Sequence, residues 1–440
     1  MKMKKIIALL MAATMVLSSA ACGTTPDEDR ESPKDNLDLD WTKGADASGG
    51  NVTLRVATWR KYDKDYYEEI ARRFEEKYDW IDVQIEITPD ANSYYSNLQA
   101  DLASGVAPDV FDSHPTEKLI VYSEEGMIAP QTDFDYMKNY KEEAKKITTL
   151  SGENYGYMNA YNYFGFIYNV DIFEKEGVSV PTTPDEFISV VNKLKAAGYG
   201  GAVVAGTTFG AGAMGDAAYL VSLGSEGYDA LRQGIDDGSV TDISTVKGVP
   251  EALDTLSTYI QNDVFYNAWE AISYEAGISL FAQEKSAIMY SGSYMFGEGD
   301  HFEDMNVGFF PFPTYANTKT TLAEGAQTTV INAASANLGA AKLWVEHLAS
   351  PEIAQYYCTQ AEMMSTIEGV TVESDTLDMI NRYVDGYAIK TLVEPENSEY
   401  WATGFAKILE GVVLEGQDWK ELVKFYRSKL EEYDLASFKD

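Results

Sequence analysis

The chain is poor in sulfur, in imidazole and in positive charge. Two cysteines occur in 440 residues, Cys22 and Cys358, so at most one disulfide could brace the fold. The three histidines, His114, His301 and His347, lie far apart, and no HExxH or CxxC spacing accompanies them. That argues against a metal centre. No Gly-Lys dipeptide is present, which removes the Walker A loop, and no GxSxG marks a nucleophile elbow. Lysine and arginine total 34 against 70 aspartates and glutamates, a net charge of −36. A nucleic-acid partner, whose phosphates demand basic patches, is excluded on that ground. Polyanionic ligands are disfavoured more weakly.

The N-terminus carries a signal. Lys2, Lys4 and Lys5 precede an uncharged, mostly apolar run from Ile6 to Leu17, followed by small residues Ser18 to Ala21. A basic start, a short apolar run and a small-residue cleavage zone describe a secretory signal over 1–21. The run falls short of the ~20 residues that span a bilayer. Cys22, between Ala21 and Gly23, resembles the lipid-modified cysteine of bacterial lipoproteins, although Ser19 stands where that motif usually has leucine. Residues 22–50 are polar, charged and almost free of large apolar side chains, which predicts a flexible tether. With lipid on Cys22, Cys358 has no partner and packs as a small apolar residue.

Beyond the tether, periodicity alternates. "VTLRVA" and "VQIEI" read as strands, and "PDVFD" as a third. Between them "YYEEIARRFEEKY" spaces Tyr67, Ile70, Phe74 and Tyr78 for a helix; "YYSNLQADLASG" places Tyr95, Leu98 and Leu102 on one face, with Gly105 as its C-cap. Strand–helix–strand–helix–strand implies right-handed crossovers and a largely parallel sheet. Ligands bind such sheets beyond the carboxyl ends of the strands. Trp59 and Arg60 follow the first strand; Asp112, Ser113 and His114 follow the third. A second α/β segment begins near Gly156 with strand-like "FGFIYN", "GGAVVAG" and "AIMYSGSYMF" and a helix opened by Pro184. The final 40 residues look helical.

Two signals of catalysis fail on inspection. "GAGAMG", 210–215, formally matches a dinucleotide fingerprint but lacks the downstream strand and acid that motif needs. With 70 acidic residues some carboxylate pair always exists, so a glycosidase cannot be argued from spacing.

"YGYMNAYNYFGFIYNVDIF", ending in Tyr-Asn-x-Asp, resembles the segment of maltose-binding-like proteins where the chain crosses into the second lobe. "VINAASANLGAAKLWVEHLASPE" resembles their return strand and helix, and "GVAPDVFDSHP", "EKSAIMYSGSYMF" and "VGFFPFP" fall in family order. From Asn51 to about Leu430 the chain is similar to family 1 extracellular solute-binding proteins of ABC importers. The resemblance implies an α/β, periplasmic-binding-protein-like type II fold: two α/β lobes joined by a hinge with the ligand cleft between them. The first lobe takes 51–155 and 321–357, the second 156–320 and 358–440.

It also implies a ligand set. Trp59 and Arg60 match the loop after the first strand, and Asp112, Ser113 and His114 the loop after the third. Ser113 replaces an aromatic there, so the stacking pattern differs. Asn162 stands for a cleft carboxylate, with Tyr163 beside it, and Tyr294 falls where a stacking tryptophan is usual. Glu324 and Gly325 precede the return strand, and Trp401 lies near another cleft aromatic. Sugar rings lie on aromatic faces, at ~0.5–1.5 kcal/mol per contact by analogy with aromatic pairs, and hydrogen bonds to charged groups contribute ~1.5–3 kcal/mol. The expected protein is therefore a monomeric, cofactor-free, lipid-anchored receptor on the outer face of the membrane. It traps a carbohydrate by hinge closure and passes it to permease subunits driven by a cytoplasmic ATPase. The rivals are a same-fold receptor for a polyamine, amino-sugar or peptide, a secreted glycosidase, and a surface adhesin.

Overall fold

The computed structural model describes residues 37–391, apart from 115–116, 207–221, 224–238, 240–244, 297–301, 303–304, 317 and 385–387, together with position 411. The GAGAMG segment, the C-terminal stretch, Trp401 and Cys22 lie outside those residues. Two sheets organise the chain. The first has strand order β2–β1–β3–β9–β4, with β1 Val52–Thr58, β2 Ile81–Ile87, β3 Val110–Ser113, β4 Tyr157–Met158 and β9 Thr328–Ile331. β1 runs parallel to β2 and β3, whereas β9 is antiparallel to β3 and β4. The second sheet is built on β5, Ala160–Asn169. It is flanked by β6 Ile288–Gly292, β7 Val307–Phe310, β8 Thr320–Gly325 and β10 Met364–Ser365, with β11 Ala388–Thr391 beside β8.

Local chemistry fixes the elements around the first sheet. Helix α1, Lys64–Lys77, buries Tyr67, Ile70, Ala71 and Phe74, the i, i+3, i+4, i+7 stripe that packs a helix on a sheet. Asp90 accepts a hydrogen bond from the Ser93 N–H at 2.7 Å to open helix α2, Ala91–Ser104; Gly105, left-handed at φ 73°, closes it. The buried pair on α2 is Tyr94 and Leu98, one position off the expected Tyr95 face. Helices α6, Leu338–Leu348, and α7, Pro351–Gln360, break at Ser350, where Pro351 takes the first helical turn.

All ten residues of β5 are buried, because packing covers both its faces. Phe164, Phe166 and Tyr168 enter one core, with helices α3, Pro184–Ala196, and α4, Val249–Gln261; Tyr163 and Ile167 enter another, shared with helices α5, Tyr274–Ala282, and α8, Asp375–Val384. Gly165 has no substitute there: a Cβ would lie 2.4 Å from the Phe309 ring. "GGAVVAG" does not become a strand; Ala202 and Val203 make only isolated parallel bridges to Phe265 and Met289. Three glycines in that stretch leave too few side chains to hold a ladder.

The chain passes between the sheets three times, side by side. Asn159 links β4 to β5, Ala326 and Gln327 link β8 to β9, and the end of α7 leads into β10. The Asn159 N–H donates to the Gln327 carbonyl at 3.1 Å and the Ala326 N–H to the Ala160 carbonyl at 2.9 Å; Met364 pairs with Tyr161. Residues 321–325, expected in the first lobe, therefore pair in the second sheet, and 157–158, expected in the second, pair in the first. The tether is shorter than its composition suggests. Leu39 and Trp41 pack on the first core, Trp41 meeting the Phe134 ring at 5.2 Å. The Lys43 carbonyl accepts from the Gly339 and Ala340 N–H groups at 2.8 and 3.3 Å, covering the start of α6. Two leucines and a tryptophan in "NLDLDW" supply the apolar area the rest of 22–50 lacks.

Candidate ligand-binding cleft

β1 and β3 end at the same edge of the first sheet, and their following residues meet there. The Trp59 ring lies 4.5 Å from His114 and 5.7 Å from Tyr95, and Tyr95 lies 5.7 Å from His114. The three partly exposed rings make a continuous aromatic patch. Its backing is rigid: the buried Tyr94 hydroxyl donates to the Asp112 and Ala57 carbonyls at 2.8 and 3.2 Å, and the His114 N–H donates to the Tyr95 hydroxyl at 2.8 Å. Tyr95 is the ring the sequence assigned to the core. A helical turn advances 100° per residue, so once Tyr94 points inward its neighbour is carried round toward Trp59.

Arg60 is held beside this patch. Its Nε and Nη2 donate to the two oxygens of Asp63 at 2.9 and 3.1 Å, and the pair is nearly buried, 10% and 1% exposed. A fork–fork pair of this kind fixes the guanidinium plane. The guanidinium also stands 5.8 Å from the centre of the Tyr294 ring, in the turn after β6 of the other sheet. Next to it Lys61 reaches Glu275 of α5 at 3.5 Å. The loop after β1 thus touches the second body at two points, with Tyr294 itself against Phe164 and Tyr274 at 5.9 and 6.2 Å.

Asp112 and Ser113, expected among the ligand contacts, are placed differently. Asp112 is 1% exposed and accepts from the Tyr67 hydroxyl at 2.9 Å and the Thr329 hydroxyl at 2.8 Å. Burial pushes its carboxyl up to about 6, against the lowering effect of hydrogen bonds from Thr58, Thr329 and Tyr67. With its oxygens committed inward, it supports the strand end rather than facing solvent. Ser113 is fully buried and donates to the His114 carbonyl at 3.1 Å. Tyr163 is also a core residue, its hydroxyl donating to Asn381 at 3.1 Å. The alternation of β5 explains this: Tyr163 shares a face with Ile167, and Asn162 takes the opposite one.

Asn162 remains a candidate. Its buried Oδ1 has no hydrogen-bond partner in the protein, and the same is true of the adjacent Tyr161 hydroxyl. A buried polar atom without a protein partner leaves a hydrogen-bonding capacity in place at this position. Glu324 pairs with Asn162 across the β8–β5 ladder and Gly325 pairs with Tyr161, so these positions converge at the crossing. Among the described residues no group of three or more His, Cys, Asp or Glu could hold a metal ion.

The profile of the bacterial extracellular solute-binding proteins matches residues 58–355. A Brucella abortus binding protein is 25% identical over 258 residues, 57% of this chain and 59% of its own, so the chain spans about three fifths of that relative. The Streptococcus mutans multiple sugar-binding protein is 23% identical over 344 residues, 76% of this chain and 80% of its own. Among solved structures, RafE of Streptococcus pneumoniae in complex with raffinose superposes with a TM-score of 0.69 at 23% identity, covering 86% of this chain and 98% of its own. That likeness establishes the type II two-lobed fold.

Proposed function

The chain belongs to the bacterial extracellular solute-binding protein family, and from that premise we propose that it captures a carbohydrate, an oligosaccharide by preference, for an ABC importer. The observation that carries the reading is the Trp59–Tyr95–His114 patch, with Arg60 directly after Trp59 in the chain and its guanidinium over the Tyr294 ring of the other sheet. Flat rings accept the apolar face of a pyranose, while a fixed guanidinium and the unpaired Asn162 amide oxygen meet its hydroxyls. Glu324, Gly325 and Trp401 complete the set by their places in the chain. Sugar-binding relatives support the same substrate class.

The mechanism is closure without bond making. Rotation about the three adjacent crossings brings Tyr294 and α5 over the patch, a hinge motion of the kind known in periplasmic binding proteins. Cys22 carries the lipid that holds the monomer at the outer membrane face, and permease subunits with their cytoplasmic ATPase receive the sugar.

Calorimetry against a panel of α-galactosyl, maltosyl and chitin-type oligosaccharides tests this. Binding should be accompanied by a smaller radius of gyration in solution scattering. No heat and no contraction with any sugar refutes the reading, and release of dye from chromogenic glycosides would favour the glycosidase instead.

A further inference from the structure

We infer that Gln327 is a positioning residue that couples the hinge to the ligand loop through a buried chain of hydrogen bonds ending at Arg60. The inference rests on the binding-protein reading above and concerns how closure is transmitted.

Gln327 is fully buried and lies in the two-residue link between β8 of the second sheet and β9 of the first. Its backbone belongs to the hinge, since its carbonyl accepts from the Asn159 N–H of the neighbouring crossing at 3.1 Å. Its side chain belongs to the first body. Nε2 donates to the Tyr357 hydroxyl at 2.6 Å and to the Tyr67 hydroxyl at 3.3 Å. Each tyrosine passes the connection on to a buried carboxylate: Tyr357 donates to Asp63 at 2.7 Å, and Tyr67 to Asp112 at 2.9 Å. Asp63 holds Arg60 by two hydrogen bonds, and Asp112 is tied back to the hinge strand through Thr329 at 2.8 Å. Tyr357 stands on α7, the element leading into the third crossing.

Hinge motion is absorbed by a few residues between elements. A change in backbone angles at Ala326 or Gln327 moves the amide relative to two hydroxyls anchored on α1 and α7. Buried hydrogen bonds cannot be surrendered without leaving a desolvated polar group, so the tyrosines follow or the amide rotates. Tyr357 donates to the same Asp63 oxygen, Oδ2, that accepts from the Arg60 Nε, so a displacement of that hydroxyl shifts the carboxylate that aligns the guanidinium.

The test uses Gln327→Leu, which keeps the volume and removes the donor, and Tyr357→Phe, which removes only a hydroxyl. In the ligand-free protein, hydrogen exchange is followed at the Lys61 and Asp63 amides, bonded to the Trp59 and Arg60 carbonyls at 2.9 and 3.1 Å. Both variants should speed exchange there about tenfold while the amides of α6 are unchanged. Exchange altered only at 159–160 and 326–328 would overturn the inference. Affinity supplies the second arm. Gln327→Leu should raise the dissociation constant of the bound oligosaccharide about tenfold, and Gln327→Leu with Arg60→Met should be no weaker than Arg60→Met alone. Losses that multiply would show a glutamine acting on packing and not through the arginine, and would also overturn it. Should the unaltered protein take no sugar, the function reading falls and the exchange arm still decides this one.

Discussion

Replacing Asp112 by asparagine should stabilise the protein above pH 6 and do nothing comparable at pH 4. Burial holds the carboxyl near 6 in the folded state against 3.8 in the unfolded chain. Between those values the folded protein keeps a proton that the unfolded protein has lost. The group's contribution is thus full below about 4 and is lost as pH rises through 6. A gap of about two pKa units is worth about 3 kcal/mol, which is the penalty of carrying the charged form at pH 7.5. Asparagine removes the charge and keeps an acceptor oxygen for the Thr329 hydroxyl, which donates at 2.8 Å; the Tyr67 hydroxyl, which donates to the other oxygen at 2.9 Å, loses that acceptor equally at every pH. Urea unfolding, followed by tryptophan fluorescence from pH 4 to 8, reads the difference directly. Only the difference between variant and parent matters, because every other carboxylate cancels. That difference should grow by about 3 kcal/mol in favour of the variant across the range. Parallel stability curves would refute the argument that Asp112 is desolvated.

Four further outcomes follow from the placements above. Trp59→Ala should weaken sugar binding about tenfold by calorimetry, since one aromatic contact contributes ~0.5–1.5 kcal/mol and Tyr95 and His114 lose a neighbour with it; Tyr163→Phe, altering a core hydroxyl, should leave the affinity unchanged. The Cys358 thiol, pushed up to about 12 by burial, should resist an aromatic disulfide reagent in a chain beginning at Gly23 and react at once in guanidinium. Trp41→Ala should lower unfolding stability by about 2 kcal/mol, measured in denaturant, because the indole covers Phe134; an unchanged midpoint would mean the segment adds nothing to the fold.

Much of the frame was legible because its signals are local. The stripe Tyr67, Ile70, Phe74 and the Gly105 cap announce helices within a few residues. The loops after β1 and β3 could be placed from topology alone, and the rings of Trp59 and His114 do meet there. What escaped was orientation and distance. Whether Tyr94 or Tyr95 turns inward depends on the neighbouring strands, and periodicity in a short tyrosine pair cannot decide it. Asp112 and Ser113 lie on the last turn of a strand whose ends are covered, so proximity to the site did not mean access. The buried network behind the Arg60–Asp63 pair was invisible: Tyr357 and Asp63 are 294 positions apart, and Gln327 and Tyr67 are 260 apart. No repeating pattern links residues so distant; only the closed fold does.

The strap of Trp41 to Gly44 has a mechanical consequence. It ties the incoming chain to α6 and Phe134 on the first body, and Trp80 adds a hydrogen bond to the Gly44 carbonyl at 3.2 Å. Under the lipid anchoring proposed at Cys22, the half carrying Trp59 would be the stator and the half carrying Tyr294 the rotor. Each capture event then reads, from the membrane, as a swing of one known hemisphere against a stationary one.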